Sequence, residues 1–192
     1  MPIQSVLDFA HHVVEETLSA GDVAVDATVG NGHDTLALAR AVGVEGEVFG
    51  MDVQAEALDQ ARTRLSSEGV EERVTLLQEG HETMDAHVPA SVRGRVGAVM
   101  FNLGYLPGST STLTTTPETT IPALKAATSL LRPEGVVTVV LYTGHEGGPA
   151  EAAAVDSWAT DLPQEKFQAL SYQFVNQKNH PPRLVVVEKR AA

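Results

Sequence analysis

The 192-residue chain contains no cysteine, so it can form no disulfide, no thiolate nucleophile and no cysteine-based metal site. It is also poor in basic residues, with 13 Lys and Arg against 25 Asp and Glu and a formal net charge of -12 at pH 7. That balance argues against broad binding to nucleic acid or membrane, although one local basic path stays compatible with it. No apolar run could span a bilayer, and we recognise no signal peptide. We therefore expect a cytoplasmic protein.

Hydrophobic periodicity divides the chain into helices that alternate with strands. A helical pattern runs from Val6 to Leu18, and apolar strands follow at “VAVDA”, “GEVFGMD”, “RVTLLQ”, “VGAVMFNL” and “GVVTVVLYT”. Such alternation predicts a parallel sheet with right-handed crossovers. The last two strands, “FQALSYQFVNQ” and “RLVVVEK”, lie close enough for an antiparallel hairpin.

This outline predicts an α/β fold of the Rossmann-like methyltransferase type, with a mostly parallel seven-stranded sheet and a C-terminal antiparallel hairpin. We expect a single methyltransferase domain over residues 1–192, in which residues 1–20 form a helix packed on the rest. A nicotinamide dehydrogenase would more often keep a sixth parallel strand.

Three local features follow from the same pattern. Asp34 is expected to cap the helix “TLALARAV” through its side chain. Pro117 is expected to open the helix “PETTIPALKAATSLL”, which would put Pro122 in the first turn. The segment “KNHPP” is expected to join the last two strands.

The turn after the first strand, “DATVGNGHDT”, has the features of a ligand site. Gly30 and Gly32 let the backbone approach a ligand, because no Cβ intrudes. The third glycine of the dinucleotide motif is absent, and Asp26 would repel a pyrophosphate but attract an ammonium group. Asp52, about 20 residues past the glycines, can accept both ribose hydroxyls. These features favour S-adenosyl-L-methionine as cofactor; an NAD site and a plain tight turn are the alternatives.

Further residues of the strand-end loops complete the predicted cofactor site. The loop “QEGHETM” should border the adenine, with Glu79, His81 and Glu82 as candidates. Glu82 is equally explained as an acid at a helix N-terminus. The predicted cofactor-binding set is Asp26, Thr28, Gly30, Asn31, Gly32, Asp34, Asp52, Gln54, His81, Glu82 and Asn102.

The loop “FNLGYLPG” after the fourth strand is the predicted place of the methyl acceptor. Asn102 resembles the first residue of the Asn-Pro-Pro-Tyr motif of amino-group methyltransferases, where amide and carbonyl oxygens accept hydrogen bonds from the amine. Leu103 and Gly104 replace the two prolines, so the turn need not have the same geometry. Tyr105 either stacks on a base or is an interfacial core aromatic. Asn102 and Tyr105 are the predicted catalytic residues.

Histidines give a second indication of a polar cleft. Four of the 7 histidines follow strands at what should be one end of the sheet, namely His33, His81, His145 and His180. Together they could hydrogen-bond bases or phosphates and titrate near neutrality, although each alone is also explained as a surface histidine. Their spacing contains no metal-binding pair such as H-x-x-x-H, so we expect no metal.

Several motifs together resemble one known family. They are “DATVGNGHDT”, “GHE”, “FNLGYLPG”, “TTPETT”, “YTGHEGG” and “NHPPRLVVVEK”, and the resemblance extends from about Phe9 to Lys189. The chain is similar to the YtqB-like or MnmM family, long labelled rRNA methylases and recognised as tRNA 5-(aminomethyl)-2-thiouridine methyltransferases. The resemblance implies the fold of a class I S-adenosylmethionine-dependent methyltransferase. It also implies methyl transfer from S-adenosylmethionine to the aminomethyl nitrogen of the tRNA wobble uridine.

The implied partner is the anticodon stem-loop of tRNA, with no membrane partner. An acidic chain needs local contacts for it, since phosphate binding usually draws on Lys and Arg. The predicted RNA-binding residues are Tyr105, His145, Lys178, His180 and Arg183. Arg183 could bind a phosphate with both arms of its guanidinium, and it is also explained as an ordinary strand-edge charge. The sequence leaves the oligomeric state open, with a homodimer among the states considered.

Other functions are compatible with parts of the sequence. An rRNA base methyltransferase shares the class and the chemistry. A small-molecule amine methyltransferase explains the acidic charge better, and would need a lid, for which residues 105–117 are a candidate. A noncatalytic S-adenosylmethionine-binding module would not need the acceptor loop. An NAD-dependent oxidoreductase is the most distant alternative.

Overall fold

The computed structural model describes residues 3–104 and 114–191. Tyr105 and residues 105–113 of the candidate lid lie outside the described residues, so the predictions made for them are not addressed. The α-helices are α1 (Val6–Thr17), α2 (His33–Ala41), α3 (Ala55–Ser67), α4 (Met84–His87), α5 (Pro117–Leu130) and α6 (Gly148–Thr160). The strands are β1 (Val23–Asp26), β2 (Glu47–Met51), β3 (Val74–Leu77), β4 (Val96–Asn102), β5 (Leu131–Leu141), β6 (Phe167–Tyr172) and β7 (Arg183–Lys189).

The strands form one sheet in the order β3-β2-β1-β4-β5-β7-β6. Neighbours from β3 to β5 pair in parallel, and β7 pairs antiparallel with both β5 and β6. The predicted α/β fold with a C-terminal antiparallel hairpin is confirmed. Because parallel strands end at one edge, the loops after β1 to β5 meet there, which is where ligands bind in such sheets.

Helices cover both faces of the sheet, which explains why the central strands read as continuous apolar runs. On one face α1 packs Val6, Ala10 and Val14 into a core that also contains Met100 of β4 and Val140 of β5. The predicted N-terminal helix therefore packs against the middle of the sheet. The other face is covered by α4, α5 and α6, whose apolar side chains form a second core with β1, β4, β5 and β7.

Three local predictions are wrong. Helix α2 begins at His33 after a left-handed Gly32, so Asp34 lies inside the first turn and caps nothing. Helix α5 begins at Pro117 as predicted, but Pro122 lies in the interior of the helix, because it is five residues further on and one turn takes only about 3.6 residues. The connection between β6 and β7 spans residues 173–182 and not only “KNHPP”, because β6 ends at Tyr172.

Candidate active site

The loops at the carboxyl edge of the sheet surround a cavity of about 560 Å³. This volume lies within the range of about 300–1,000 Å³ that is usual for small-molecule sites. The structure brings most of the predicted residues into its walls, namely Thr28, Gly30, Asn31, His33, Asp34, Asp52, Gln54, Glu79, His81, Glu82, Asn102, His145 and His180. Within residues 3–104 and 114–191, no group of three or more His, Asp or Glu side chains could hold a metal.

Asp26 lies beneath the cavity and does not reach it. Its carboxylate is completely buried, and it accepts the Thr28 N–H at 3.0 Å and the Thr35 hydroxyl at 2.5 Å. Burial, assisted by the nearby charge of Asp34, raises the pKa of Asp26 to about 7. Both carboxylate oxygens thus have protein donors, and contact of Asp26 with a ligand ammonium stays a prediction. Asp26 ties the turn after β1 to the first turn of α2.

Gly32 also lies outside the cavity walls, and the structure gives it a different role. Its φ is +76°, and a Cβ at this position would lie 2.9 Å from the Cα of Ala61. Glycine therefore permits the close approach of α2 to α3, in addition to the left-handed turn. Gly30 does line the cavity and also has a positive φ, of 50°.

Asp52 joins the glycine turn to the start of α3. Its Oδ2 accepts the Gly30 N–H at 2.9 Å, and its Oδ1 accepts the Gln54 N–H at 2.9 Å. Each carboxylate oxygen has more than one lone pair, so both can still accept a hydroxyl hydrogen from a ligand. The position of this carboxylate on the cavity wall suits a ribose diol.

His81 gives the cavity a buried nitrogen with unused hydrogen-bonding capacity. The side chain is buried, its ring meets Phe101 edge-on at a centroid distance of 5.7 Å, and it bonds the backbone of Ala27. Burial lowers the pKa of His81, so the imidazole is neutral at pH 7. Its Nε2 finds no hydrogen-bond partner in the part of the chain that the structure describes. An unpaired buried acceptor is costly, so a hydrogen bond to this nitrogen would be favourable.

Asn102 stands at the end of β4, on the side where the acceptor was predicted. Its backbone N–H donates to the Thr28 hydroxyl at 2.7 Å, and its side-chain Nδ2 lies 3.5 Å from Asp34 Oδ2. The hydroxyl of Tyr142 also bonds the Asn102 side chain. Burial, followed by the charge of Asp34, raises the pKa of Tyr142, so that hydroxyl stays protonated. An amide and a carboxylate therefore lie side by side in the wall.

The carboxylate of Asp34 forms a hydrogen bond with a histidine of α1. The Nε2 of His11 lies 2.6 Å from Asp34 Oδ1, and His11 faces an outer groove between α1 and α2. The hydrogen bond with Asp34 raises the pKa of His11 in spite of partial burial, with smaller contributions from Glu15 and Asp8. The carboxylate of Asp34 therefore favours the protonated form of the His11 imidazole.

Sequence reasoning missed His11 and Tyr142. The periodicity of α1 marks only its apolar stripe, and His11 lies beside that stripe without any motif. Tyr142 directly follows β5, at the same edge as the four histidines, so its position after a strand was a usable signal.

Those predicted RNA-binding residues that the structure describes do not form one group. Arg183 donates to both carboxylate oxygens of Asp156, each at 2.7 Å, and to the Ala152 carbonyl at 3.2 Å. In the structure this guanidinium joins β7 to α6, and its contact with an RNA phosphate stays a prediction. His180 lines the cavity, whereas Lys178 is exposed and lies outside the cavity walls.

The order of the sheet, the glycine turn after β1 and the acid after β2 define the chain as a class I methyltransferase. It belongs to the family described as “Putative rRNA methylase”, which residues 48–188 match. An Arabidopsis thaliana protein named “tRNA (mnm(5)s(2)U34)-methyltransferase, chloroplastic” is 38% identical over 191 residues, which are 95% of this chain and 69% of that protein. The family resemblance seen in the motifs is thus confirmed.

Solved structures agree with this assignment. A “putative rRNA-methylase” from Clostridium thermocellum is 41% identical with a TM-score of 0.94, over 98% of this chain and 100% of that one. SMU.1697c from Streptococcus mutans, solved in complex with SAH, is 33% identical with a TM-score of 0.87, over 97% and 99% of the two chains. Among the described helices none is long and apolar enough to cross a membrane. The cytoplasmic location and the homodimer stay predictions.

Proposed function

We propose that this protein transfers a methyl group from S-adenosylmethionine to the aminomethyl nitrogen of 5-aminomethyl-2-thiouridine at the wobble position of tRNA. The observation that carries the proposal is the pairing of Asn102 with Asp34 in the cavity wall. An aliphatic amine is cationic at neutral pH, since its pKa resembles the value of about 10.4 for lysine. A carboxylate beside an amide suits such a group, whereas a neutral ring nitrogen of an rRNA base needs no counter-charge. The named reaction of the Arabidopsis relative supports the same acceptor.

The walls of the cavity contain groups that fit S-adenosylmethionine. Asp52 would accept the ribose hydroxyls, His81 Nε2 would accept an N–H of the adenine amino group, and Gly30 would leave room for the ligand beside the turn. When bound, the donor supplies a methyl group on a sulfonium, which an amine with a free lone pair can attack without further activation.

The residues on the acceptor side would prepare the amine. An ammonium group has no lone pair, so a proton must leave before attack. Asp34 would bind the ammonium and take that proton on Oδ2, while His11 holds Oδ1. Asn102, oriented by its bonds to Asp34 and Tyr142, would direct the nitrogen. Holding the amine in one orientation accounts for much of the catalysis that such a reaction requires.

A direct test uses the purified protein, S-adenosylmethionine and an anticodon stem-loop that carries 5-aminomethyl-2-thiouridine. We expect mass spectrometry of the digested nucleosides to show the gain of one methyl group. The matched control is the same stem-loop with unsubstituted 2-thiouridine, which should stay unchanged. Rapid methylation of the free nucleoside, with the stem-loop inert, would favour a small-molecule amine methyltransferase instead.

His81→Phe should weaken the binding of S-adenosylhomocysteine about threefold to tenfold, the value of one neutral hydrogen bond. Phenylalanine keeps the ring that packs against Phe101 but removes the nitrogen acceptor. Calorimetry measures the change. The control ligand is the analogue with hypoxanthine in place of adenine, which lacks the amino group and should bind both proteins equally. An equal loss for the two ligands would mean that His81 acts only through packing.

Lys178→Ala should make tRNA binding less sensitive to salt, whereas Arg183→Ala should not. Each phosphate contact adds about 0.7–0.9 to the slope of log affinity against log salt, and Lys178 is exposed on the connection that also contains His180. Arg183 is already bonded to Asp156. Filter binding of the stem-loop at several salt concentrations measures both slopes. A flatter slope for Arg183→Ala alone would reverse this assignment.

A further inference from the structure

Glu151 of α6 is a buried carboxylate that the proposed mechanism does not use. Its side chain is almost inaccessible, with the residue 2% exposed, and it does not line the cavity. Its Oε2 accepts the hydroxyl of Thr115 at 2.8 Å, and its Oε1 accepts the hydroxyl of Thr120 at 2.6 Å. Burying a carboxylate is costly unless it is hydrogen-bonded, and here both oxygens have donors.

The Thr115 hydroxyl, which donates to Glu151, also forms a hydrogen bond with the acceptor loop. It accepts the backbone N–H of Gly104 at 2.9 Å. Because a hydroxyl has a single proton, donation of that proton to Glu151 leaves the oxygen lone pairs for Gly104. The carbonyl of Gly104 in turn accepts the Thr115 N–H at 3.1 Å and the Thr114 hydroxyl at 3.0 Å.

Gly104 is well placed to affect the acceptor. It lies two residues after Asn102 and lines the cavity, and a Cβ built on it would lie 3.6 Å from His145 Nε2. Its φ of +140° is a conformation that few other residues adopt. Glycine has many accessible conformations, and the hydrogen bonds of the Gly104–Thr115–Glu151 chain select this one.

We propose that Glu151 is a positioning residue for the acceptor side of the site. Through Thr115 it fixes the backbone of Gly104, and so the turn that presents Asn102 to the incoming amine. Its carboxylate suits this task because it accepts from two hydroxyls at once, whereas a glutamine offers one acceptor oxygen and one donor group. The activity readout of this inference rests on the proposed function.

Two substitutions to valine separate positioning from simple stability. Thr115→Val removes the hydroxyl that links Glu151 to Gly104. Thr120→Val removes the other hydroxyl that donates to the Glu151 carboxylate. We expect Thr115→Val to lower kcat for the stem-loop about tenfold to 100-fold, as displacement of a reacting group does. Thr120→Val should lower the melting temperature similarly but change kcat less than about threefold, since the bond to Gly104 stays intact. S-adenosylhomocysteine binding should change in neither variant.

Hydrogen exchange at the Gly104 amide provides a readout that needs no substrate. Exchange should accelerate about tenfold or more in Thr115→Val and in Glu151→Ala, and stay near the wild-type rate in Thr120→Val. Thr115→Ser, which keeps the hydroxyl, should restore both kcat and protection. Equal losses of kcat in the two valine variants, or unchanged exchange at Gly104 in Thr115→Val, would overturn the proposal. If the wild-type protein does not methylate the stem-loop, the proposed function fails, while the exchange experiment still decides the role of Glu151.

Discussion

Asp34→Asn should reduce methyl transfer to the aminomethylated stem-loop by about 100-fold to 10,000-fold at neutral pH, the range that general base catalysis provides. Asparagine keeps the shape of the side chain but removes both the negative charge and the site for the proton. His11 and the amide of Asn102, which both contact this carboxylate, would no longer face a negative charge. Single-turnover rates at saturating S-adenosylmethionine measure the loss without a contribution from donor binding.

The pH profile should distinguish a general-base role of Asp34 from a merely structural role. The titratable groups that face Asp34 are His11 from α1, the buried Asp26 and Tyr142 after β5. Wild-type activity should rise with pH as the acceptor amine loses its proton, and the deficit of Asp34→Asn should shrink at high pH, where the amine is already neutral. A deficit that is independent of pH would contradict proton transfer to Asp34.

S-adenosylmethionine also carries an ammonium group, so a second control is needed to show whether Asp34 binds the acceptor amine or the donor. Asn102→Ala and Asp34→Asn should both reduce transfer while leaving calorimetric binding of S-adenosylhomocysteine nearly unchanged. If Asp34→Asn weakened that binding as much as it slowed transfer, the carboxylate would belong to the donor subsite.

Asp52→Ala should weaken S-adenosylhomocysteine binding by about 1.5–3 kcal/mol, the value of hydrogen bonds to a charged group, which is roughly tenfold to 150-fold. The substitution removes the acceptor for the ribose hydroxyls and also the anchor of the Gly30 and Gln54 amides. The matched control is Asp59→Ala on the exposed side of α3, where the carboxylate pairs with Arg62. Calorimetry should show no change for the control. Binding of NAD in place of S-adenosylhomocysteine would refute the assignment of the cavity.

The fold could be predicted because its elements have distinct local patterns. Buried parallel strands such as β4 are runs of apolar residues, and α1 repeats apolar residues with the helical period. The predicted ends of helices and strands were less accurate, because they depend on contacts beyond the local pattern. Asp34 has the residue type of a helix cap, yet its carboxylate is taken by His11, which lies 23 residues away in the chain.

The candidate site, like the fold, could be predicted from the sequence only in part. The order of strands and the rule that ligands bind at their carboxyl ends were enough to bring Asp34, Asn102 and four histidines to one cavity. They could not show which of Asp26 and Asp52 lines the cavity, since both acids stand at the carboxyl end of a parallel strand beside the glycine turn. Burial separates them, because Asp26 is enclosed by Thr28 and Thr35 while Asp52 remains on the cavity wall.

The α/β class, the parallel sheet with its hairpin and the turns that would form a ligand site follow from local periodicity and from glycine positions, so the amino-acid pattern was enough to predict them. Which charges are available at the site depends on how the chain packs. Arg183 is neutralised by Asp156, which lies 27 residues away, and Glu151 is bonded to Thr115 across 36 residues. The physical reason is that a side chain's charge acts through its nearest partners, and those partners become neighbours only when the helices pack on the sheet.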